Sequence, residues 1–480
     1  MRVLLINPPE QHEPLDNIPT IIAEGRGYTP PLGLLYIAAY VEQDSKYEVA
    51  IIDCQAEQDN YESLHLKVRA FSPDIVGITA MTMTLLDVIE TVETVRAAAP
   101  GAKVVLGGPH AHLFPEETIQ LNGVDFVVLG EGERTFKSLL DHIEEPTELR
   151  NVPGLVFRNG QETIRTGTPL PIEDLDSLPF PARHLTQIHK YRSLLALRDP
   201  VTSLFTSRGC PFKCAFCDKP HLGRRFRARS ARNVVDEIEQ CVRMGINDFL
   251  IYDDTFTVYK GRVLEICDEI QKRRLDVGFH VRTRVDCVDE EMLKRLKRAG
   301  CRGIHYGVEA GTEKVLRALN KGITLERIRA TFELTRRHRI PTLAYFMIGN
   351  PSETLEDIRS TFEFMKRLNP DYVHLTILCP FPGTQCYKDA LEKGIISYDC
   401  WKEFAAHPSP EFVPPHWGEL FSYAQLEALV TKGYRDFYLR PSYIWRRLAK
   451  VKSANELLKK AKGAFKVMRL GRTRRLGNQL

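Results

Sequence analysis

Three cysteines stand close together in the middle of the chain, at Cys210, Cys214 and Cys217. Three thiolates at this spacing can bind three irons of a four-iron cluster and leave the fourth iron without a protein ligand. A zinc site usually presents a second Cys or His pair downstream, and none follows here. The 11 cysteines are an odd number, mostly scattered in apolar stretches, which is typical of a reduced protein rather than a disulfide-bonded one. The pattern favours an iron–sulfur cluster with one open iron.

The composition is that of an ordinary globular protein long enough for two or three domains. The 480 residues are 43% hydrophobic and 27% charged. No run of about eighteen apolar residues indicates a membrane span, and the apolar stretch at the N-terminus is too short for a signal peptide. We therefore expect a cytoplasmic protein.

The positive charge is concentrated near the C-terminus. Twelve Lys and Arg residues and one acid, Glu456, lie between Arg446 and Arg475, and the rest of the chain has 54 basic and 61 acidic residues. Apolar residues alternate with these charges, so the tail is predicted either as a basic amphipathic helix on an anionic membrane or as a solvated, disordered segment. The first alternative makes the protein membrane-associated. Nucleic-acid binding is not expected.

Residues 1–145 alternate short apolar strands with helical stretches, which indicates an α/β domain with a doubly wound, Rossmann-like parallel sheet. Ligands of such sheets bind beyond the carboxyl ends of the strands. Residues 146–195 are predicted as a linker with a hairpin over 155–164, whose turn is Asn159-Gly160.

Residues 196–395 contain six strand–helix repeats, too few for the usual eight-stranded barrel. We predict an open, partial (β/α)6 barrel with its site at the carboxyl ends of the strands. The predicted strands end near Thr206, Asp253, Arg282, Gly307, Phe346 and Leu378. Residues 396–480 are predicted to be mainly helical, forming a cap over the barrel mouth and then the basic tail.

The cysteine run has the form C-x-x-x-C-x-aromatic-C, with Phe216 before the last cysteine. In this it resembles the radical S-adenosylmethionine (SAM) superfamily. The resemblance implies that the amino and carboxylate groups of SAM chelate the open iron of a [4Fe–4S] cluster. One electron then cleaves the sulfonium to methionine and a 5′-deoxyadenosyl radical, while Phe216 lies against the adenine.

Further SAM contacts are expected at strand ends. The resemblance places a carboxylate near the SAM ammonium, for which we choose Asp253, and the alternative is a helix N-cap. Arg284 is a candidate for the methionine carboxylate, with a surface salt bridge as the alternative. The resemblance also implies that Glu309 accepts hydrogen bonds from the ribose. The turn Gly349–Thr354 is similar to the family's G-x-P-G-E-T turn beside the adenine, with Ser352 in place of glycine.

A doubly wound domain ahead of this barrel resembles the cobalamin-binding radical SAM family, in the manner of class B methyltransferases. The D-x-H-x-x-G signature of other cobalamin proteins is missing from residues 1–145, so a lower axial histidine is not expected. We expect two loops to hold the nucleotide tail and a third segment to face the corrin. The expected cobalamin residues are Thr79, Thr82, Gly107, Gly108, His110, Gly130, Glu131 and Gly132.

These cofactors predict radical methylation of an unactivated carbon in a small-molecule or lipid substrate, with a low-potential electron donor such as flavodoxin or ferredoxin. The alternative is radical cyclisation or rearrangement of a tetrapyrrole or lipid without methyl transfer, since residues 437–441 are similar to the C-terminal region of anaerobic porphyrin cyclase and hopanoid-associated members. A methylthiotransferase is less favoured because residues 1–145 contain only Cys54. A non-catalytic cobalamin sensor has no need for the cysteine triplet or Glu309.

Overall fold

The computed structural model describes residues 1–12, 27–193, 195–218 and 222–449. Its first layer is a seven-stranded sheet with the order β2-β1-β3-β4-β5-β6-β7. The first five strands are parallel, and their order reverses between β1 and β3, as in other doubly wound sheets. They are β1 (Arg2–Asn7), β2 (Glu48–Asp53), β3 (Ile75–Thr79), β4 (Lys103–Gly107) and β5 (Phe126–Val128).

Helices cover both faces of this sheet, because its strands are apolar on both faces. One face packs Leu5 and Val105 against one group of helices, and the other packs Leu4 and Val76 against a second group. The doubly wound prediction is therefore confirmed. The helices are α1 (Leu32–Val41), α2 (Cys54–Glu57), α3 (Tyr61–Phe71), α4 (Leu85–Ala98), α5 (Pro109–Leu113), α6 (Pro115–Gln120) and α7 (Gly132–His142).

The predicted hairpin forms from β6 (Leu155–Asn159) and β7 (Glu162–Arg165). Asn159 pairs with Glu162, so the two turn residues are Gly160 and Gln161, one position later than the predicted Asn159-Gly160. Gly160 has a φ of +62°, the left-handed conformation that glycine readily adopts. The sequence placed this hairpin in a linker, but β6 pairs antiparallel with β5 and extends the first sheet. The hairpin thus covers the β5 edge of the parallel part of that sheet.

The second sheet has six parallel strands in the order β15-β14-β13-β12-β11-β8. Because β8 and β15 are its two edges, the barrel is open, as predicted. The strands are β8 (Val201–Leu204), β11 (Asp248–Ile251), β12 (Gly278–Thr283), β13 (Cys301–Glu309), β14 (Thr342–Ile348) and β15 (Tyr372–Ile377). A short antiparallel ribbon of β9 (Ser207–Arg208) and β10 (Arg227–Ala228) follows β8.

The barrel helices pack on the outer face of this sheet, around a core in which strand residues such as Phe279 and Ile304 meet helix residues such as Val263. They are α8 (Ala231–Arg243), α9 (Lys260–Lys272), α10 (Glu290–Arg298), α11 (Glu313–Ala318), α12 (Leu325–Arg337), α13 (Leu355–Leu368) and α14 (Gln385–Glu392). Short side-chain caps begin several of them, for example Thr354 at the start of α13.

The C-terminal region is helical, with α15 (Cys400–Ala406), α16 (Tyr423–Tyr438) and α17 (Pro441–Leu448). We predicted a cap over the barrel mouth, but α16 instead covers the open edge of the barrel. The Tyr434 and Tyr438 hydroxyls accept hydrogen bonds from the backbone of β15, which satisfies edge groups that a sheet would otherwise leave exposed. The stretch 437–441 therefore has a structural role here.

The basic tail lies almost wholly outside the described residues. Its first two members belong to α17 and are anchored to the barrel, because Arg446 donates to the carbonyl of Asn369 and Arg447 pairs with Asp371 at 3.2 Å. Within the described ranges, no helix combines the length and apolar character needed to cross a membrane. The membrane contact of the tail stays a prediction.

Candidate functional site

The cysteine loop begins directly after β9, at the carboxyl end of the barrel. Gly209 has a φ of +80°, and a Cβ there would lie only 2.3 Å from the carbonyl oxygen of Arg225, so only glycine fits. Backbone bonds tie the middle of the loop to the barrel, since Ala215 donates to Leu319 and accepts from Cys386. The loop is thus held at the edge where a barrel site is expected.

The three thiols are free and differ in exposure. Cys210 is buried with its Sγ 3.5 Å from the Thr255 hydroxyl, Cys214 is partly buried, and Cys217 is exposed. Among the described residues, no three Cys, His, Asp or Glu side chains are grouped so that they could share one metal ion. Thiolates that bind separate irons of a cluster need not converge on one point.

Asp253 is fully buried at the end of β11, where it holds the start of the cluster loop. Its carboxylate accepts hydrogen bonds from the backbone and side chains of Thr206 and Ser207, at 2.5 to 3.2 Å. Arg262 also approaches it at 3.4 Å. Both oxygens are thus engaged within the protein, so the structure gives Asp253 a positioning role. Its contact with the SAM ammonium stays a prediction.

Arg284 connects the third barrel strand to the cluster loop. Its guanidinium makes a bidentate pair with Asp286, with both hydrogen bonds at 2.9 Å. One Nη atom also lies 3.5 Å from the Cys214 Sγ, and the other donates to the carbonyl of Lys321. The salt bridge that we gave as the alternative is therefore present. The Arg284 side chain is only 7% exposed, however, and lies against the predicted cluster ligand Cys214. The guanidinium therefore lies between the Asp286 carboxylate and the cluster loop.

Glu309 ends β13 in a strained conformation. Its φ is +72°, which is unusual for a residue other than glycine, and the strand bulges beside it. The buried carboxylate accepts a hydrogen bond from Lys321 Nζ at 2.6 Å, and the same ammonium lies 5.5 Å from the ring of Phe216. The structure thus brings Glu309 and Phe216 to one place beside the cluster loop. Their contacts with SAM remain predictions.

A cavity of about 340 Å³ opens at the carboxyl ends of β1, β3, β4 and β5, where the order of the first sheet reverses. Six of the predicted cobalamin residues line it: Thr79, Gly107, Gly108, Gly130, Glu131 and Gly132. Apolar side chains such as Leu5 and Phe136 form much of the wall. A Cβ at Gly33 would meet nothing within 4 Å, and one at Gly107 only Val128 at 3.8 Å or more. Backbone without side chains therefore faces open space, which suits a large planar ligand.

Thr82 and His110 do not line this cavity. The Thr82 hydroxyl and His110 Nδ1 are 3.0 Å apart, and the imidazole is fully buried with its Nε2 unpartnered among the described residues. We predicted that both residues contact cobalamin, but they form a pair beside the cavity. Burial lowers the pKa of His110 to about 4. The imidazole is therefore neutral at neutral pH.

His110 should make the folding stability depend on pH. Its pKa is about 4 in the folded protein but about 6.5 in an unfolded chain. As pH falls from about 6.5 to 4, only the unfolded chain takes up this proton, so stability is lost. We expect His110→Gln to flatten the pH dependence of the thermal unfolding midpoint over this range. An unchanged profile in His110→Gln would contradict the assignment.

A buried group of four charges joins the cavity to the cluster loop. We call it the clamp, and it consists of Arg208, Arg227, Glu131 and Glu133. Arg208, two residues before Cys210, bonds Glu131 at 3.0 Å and also Glu133, while Arg227 bonds Glu131 from the neighbouring strand of the ribbon. Burial opposes ionisation of Glu131, but Arg227 and Arg208 hold its pKa below the ordinary value.

The clamp explains why two distant stretches of sequence form one site. Glu131 and Glu133 follow β5 of the first sheet, and Arg208 opens the cluster loop of the second. Arg208 also lines the cavity and lies over the ring of Tyr36 at 5.3 Å. The cavity and the cluster loop therefore share a wall.

Sequence reasoning missed Lys321 and the two clamp arginines. Lys321 lies in an ordinary Asn-Lys-Gly turn, and its pairing with Glu309 crosses twelve positions with no motif to mark it. Arg208 stands two residues before the first cysteine of the motif, and this proximity was a usable signal. No comparable signal marks Arg227, because nothing in the sequence indicates that its strand pairs with the strand of Arg208.

Together the fold and the site define a radical SAM barrel preceded by a B12-type domain, and comparison with known proteins gives the same result. A model described as the radical SAM superfamily matches residues 204–365, and one described as the B12 binding domain matches residues 18–140. An uncharacterized methyltransferase of Pyrococcus horikoshii is 33% identical over 450 residues, which are 92% of this chain and 94% of the relative. The chain therefore belongs to the cobalamin-binding radical SAM family and is an enzyme.

One further relative in sequence and one solved structure of similar fold complete the comparison. The anaerobic magnesium-protoporphyrin IX monomethyl ester cyclase of Rubrivivax gelatinosus is 28% identical over 97% of this chain and 82% of its own length. The radical SAM methyltransferase TsrM of Kitasatospora setae, solved with cobalamin and a [4Fe–4S] cluster, superposes with a TM-score of 0.67 at 22% identity, covering 82% of this chain and 78% of TsrM. The cofactors of the family are a [4Fe–4S] cluster, SAM and cobalamin. The free cysteines and the glycine-lined cavity described above fit the first and the last.

Filling the cavity should weaken cobalamin binding. Gly107→Val adds three carbons where a Cβ meets almost nothing, and overpacking of this kind costs about 1–3 kcal/mol, or about 10- to 100-fold in affinity. Titration with hydroxocobalamin, followed by its visible absorbance, measures the change. Gly101→Val makes the same substitution on an exposed turn and should bind as the wild type does. Equal affinity in both variants would place the ligand elsewhere.

Proposed function

We propose that this enzyme transfers a methyl group to an unactivated carbon of a small-molecule substrate. The observation that carries the proposal is the shared wall between the cavity and the cluster loop, formed by Arg208. When bound, the cluster and SAM supply a 5′-deoxyadenosyl radical, and cobalamin supplies the methyl group. A methyl donor and a radical source next to each other are what carbon methylation requires.

The residues of the chain position these groups and exclude water. Cys210, Cys214 and Cys217 bind the cluster, and Asp253 fixes the loop that carries them through its bonds to Thr206 and Ser207. Arg284 donates to the Cys214 sulfur. A hydrogen bond of this kind is one of the factors that set the reduction potential of a cluster.

On the SAM side, Glu309 is the proposed acceptor for the ribose hydroxyls and Phe216 the proposed partner of the adenine. Lys321 holds the carboxylate of Glu309 in place at 2.6 Å. A low-potential donor such as flavodoxin or ferredoxin is proposed to supply the electron. No residue needs to act as a general base, because the radical abstracts a hydrogen atom from the substrate.

The test follows the methyl group. The protein is reconstituted without oxygen with iron, sulfide and hydroxocobalamin, and is incubated with methyl-labelled SAM, a reductant and a cell extract. We expect label in a carbon-methylated product together with 5′-deoxyadenosine. Formation of 5′-deoxyadenosine that depends on the extract, with cobalamin bound but no label transferred, would contradict methylation and favour cyclisation or rearrangement.

A further inference from the structure

The inner face of the barrel carries a continuous group of polar and aromatic side chains. Residues of β12 to β15 alternate, so that Val281, Tyr306 and Phe346 face the helices and join the core. Their neighbours face inward. We call the inward group the lumen belt, and it consists of Tyr252, His280, Arg282, His305, Tyr345 and His374.

The members of the lumen belt contact one another across five strands. His305 lies between its neighbours, with Nε2 3.3 Å from His280 Nδ1 and Nδ1 3.2 Å from the Tyr345 hydroxyl. The ring of His374 meets that of Tyr345 edge-on, with centroids 5.4 Å apart. At the other end, the Arg282 guanidinium lies 4.1 Å from the centre of the Tyr252 ring. The four rings therefore form one row, and the Arg282–Tyr252 pair continues it, because Arg282 lies two residues after His280 on the same face of β12.

Arg282 is a cation without a counterion. Within the described part of the chain no carboxylate forms an ion pair with it, and its Nε atom is buried with no hydrogen-bond partner. The acids on this side of the barrel are already engaged, because Glu309 holds Lys321 and Asp253 holds the cluster loop. The Arg282 side chain is partly exposed, so its guanidinium is accessible while its Nε stays unsatisfied. The fork geometry of a guanidinium matches a carboxylate or a phosphate.

The histidines of the belt add hydrogen-bonding groups without adding charge. Burial lowers the pKa of His280 to about 4. Burial, together with His280, Arg282 and His374, lowers that of His305 well below its usual value. Both rings are neutral at neutral pH. The two nitrogens of His305 are engaged within the belt, whereas His280 Nε2 has no partner among the described residues and can bond a ligand. The positive charge of the belt therefore comes from Arg282.

The belt lies close to the proposed SAM site. Tyr345 pairs in register with Gly307, and the next residue of β14, Phe346, pairs with Glu309, so the end of β13 that carries Glu309 lies beside Tyr345. Arg282 is the penultimate residue of β12, at the carboxyl end of the barrel where the cluster loop also lies. A ligand bound by Arg282 therefore reaches from the lumen toward the radical source.

We propose that Arg282 binds an anionic group of the substrate, a carboxylate or a phosphate, and so selects acidic molecules for reaction. This inference rests on the proposed function, because it places the substrate of that reaction in the barrel lumen. Tyr252 and Tyr345 flank the guanidinium and provide aromatic faces for the body of the substrate. The anion fixes one end of the molecule, and the reacting carbon faces the mouth.

The first test uses the wild-type holoenzyme and needs no variant. Cell extract is separated on an anion-exchange column, and each fraction is assayed for stimulation of 5′-deoxyadenosine formation above the rate with SAM alone. We expect the active fraction to bind the column. Phosphatase treatment abolishes its activity if the group is a phosphate, and methyl esterification abolishes it if the group is a carboxylate. An active fraction that is neutral or cationic overturns the proposal, even if its product carries the labelled methyl group.

The second test uses Arg282→Met, with Arg282→Lys as the partner that keeps the charge. We expect unchanged SAM binding and unchanged 5′-deoxyadenosine formation without substrate, but a half-saturating concentration of the acidic fraction raised by about 10- to 100-fold in the Met variant. The Lys variant should lose less. Weaker SAM binding in the Met variant would show that Arg282 binds the SAM carboxylate instead, and an unchanged response to the fraction would also overturn the proposal.

The two tests separate this inference from the proposed function. Stimulation by an acidic fraction without transfer of label means that the reaction is not methylation but the anion site stands. Transfer of label to a molecule without an acidic group means that the reaction is methylation but that the anion site is wrong.

Discussion

Replacing Cys214 with Ala is expected to abolish the iron–sulfur cluster and all formation of 5′-deoxyadenosine. Two thiolates cannot hold three irons, so iron content and visible absorbance should fall to the level of the protein without cluster. The Cys210→Ala and Cys217→Ala variants should behave in the same way. Cobalamin binding should survive in all three, because most of the residues that line the cavity belong to the first domain and none of the three cysteines lines it.

Cys287→Ser is the matched control for these variants. Burial is the chief cause of the raised pKa of the Cys287 thiol, and the neighbouring Cys210 thiol raises that pKa further. Cys287 is thus near a predicted cluster ligand but lies outside the cysteine motif. We expect a full cluster and normal 5′-deoxyadenosine formation in this variant. If Cys287→Ser loses the cluster and Cys214→Ala keeps it, the assignment of the three ligands is wrong.

The second large effect is expected from the clamp. Arg208→Met removes the partner of Glu133 while that carboxylate stays buried, and breaking a buried ion pair in this way costs about 3–5 kcal/mol. We expect a lower thermal unfolding midpoint and weaker retention of both cluster and cobalamin, since Arg208 joins their loops. Calorimetry and absorbance after gel filtration measure the two effects.

Arg225→Met provides the comparison for the clamp. Arg225 makes a 2.8 Å pair with Glu173 at the surface, where both side chains are more than half exposed, so its loss should cost about 1 kcal/mol or less. Adding Glu133→Gln to Arg208→Met should restore part of the stability by removing the unpaired charge. If Arg208→Met is no less stable than Arg225→Met, the clamp does not hold the two halves together.

Much of the architecture could be predicted from the sequence because local patterns determine it. Continuous apolar strands separated by helices indicated both parallel sheets, and Asn159-Gly160 indicated the hairpin. The sheet that the hairpin joins, and the edge that α16 covers, depend on pairing between distant segments. No local pattern encodes such pairing, so both predictions erred about placement while identifying the elements correctly.

In the candidate site, too, features with a local sequence signal could be predicted and features that depend on distant partners could not. The cysteine motif is local, and six of the eight predicted cobalamin residues line the cavity because glycines at strand ends mark it. Thr82 and His110 were placed in it by their position in sequence alone, but the short helix α5 directs His110 into the interior. The arginines of the clamp and the lumen belt take their roles from partners on other elements, which spacing cannot reveal.

In the proposed reaction, one chain carries a radical source and a methyl donor that act on the same substrate. The most direct measurement is the ratio of 5′-deoxyadenosine to S-adenosylhomocysteine formed by the reconstituted holoenzyme with the active fraction of extract. One SAM gives the radical and another replenishes the methyl group, so we predict equal amounts of the two. Abundant 5′-deoxyadenosine with no S-adenosylhomocysteine would contradict the account.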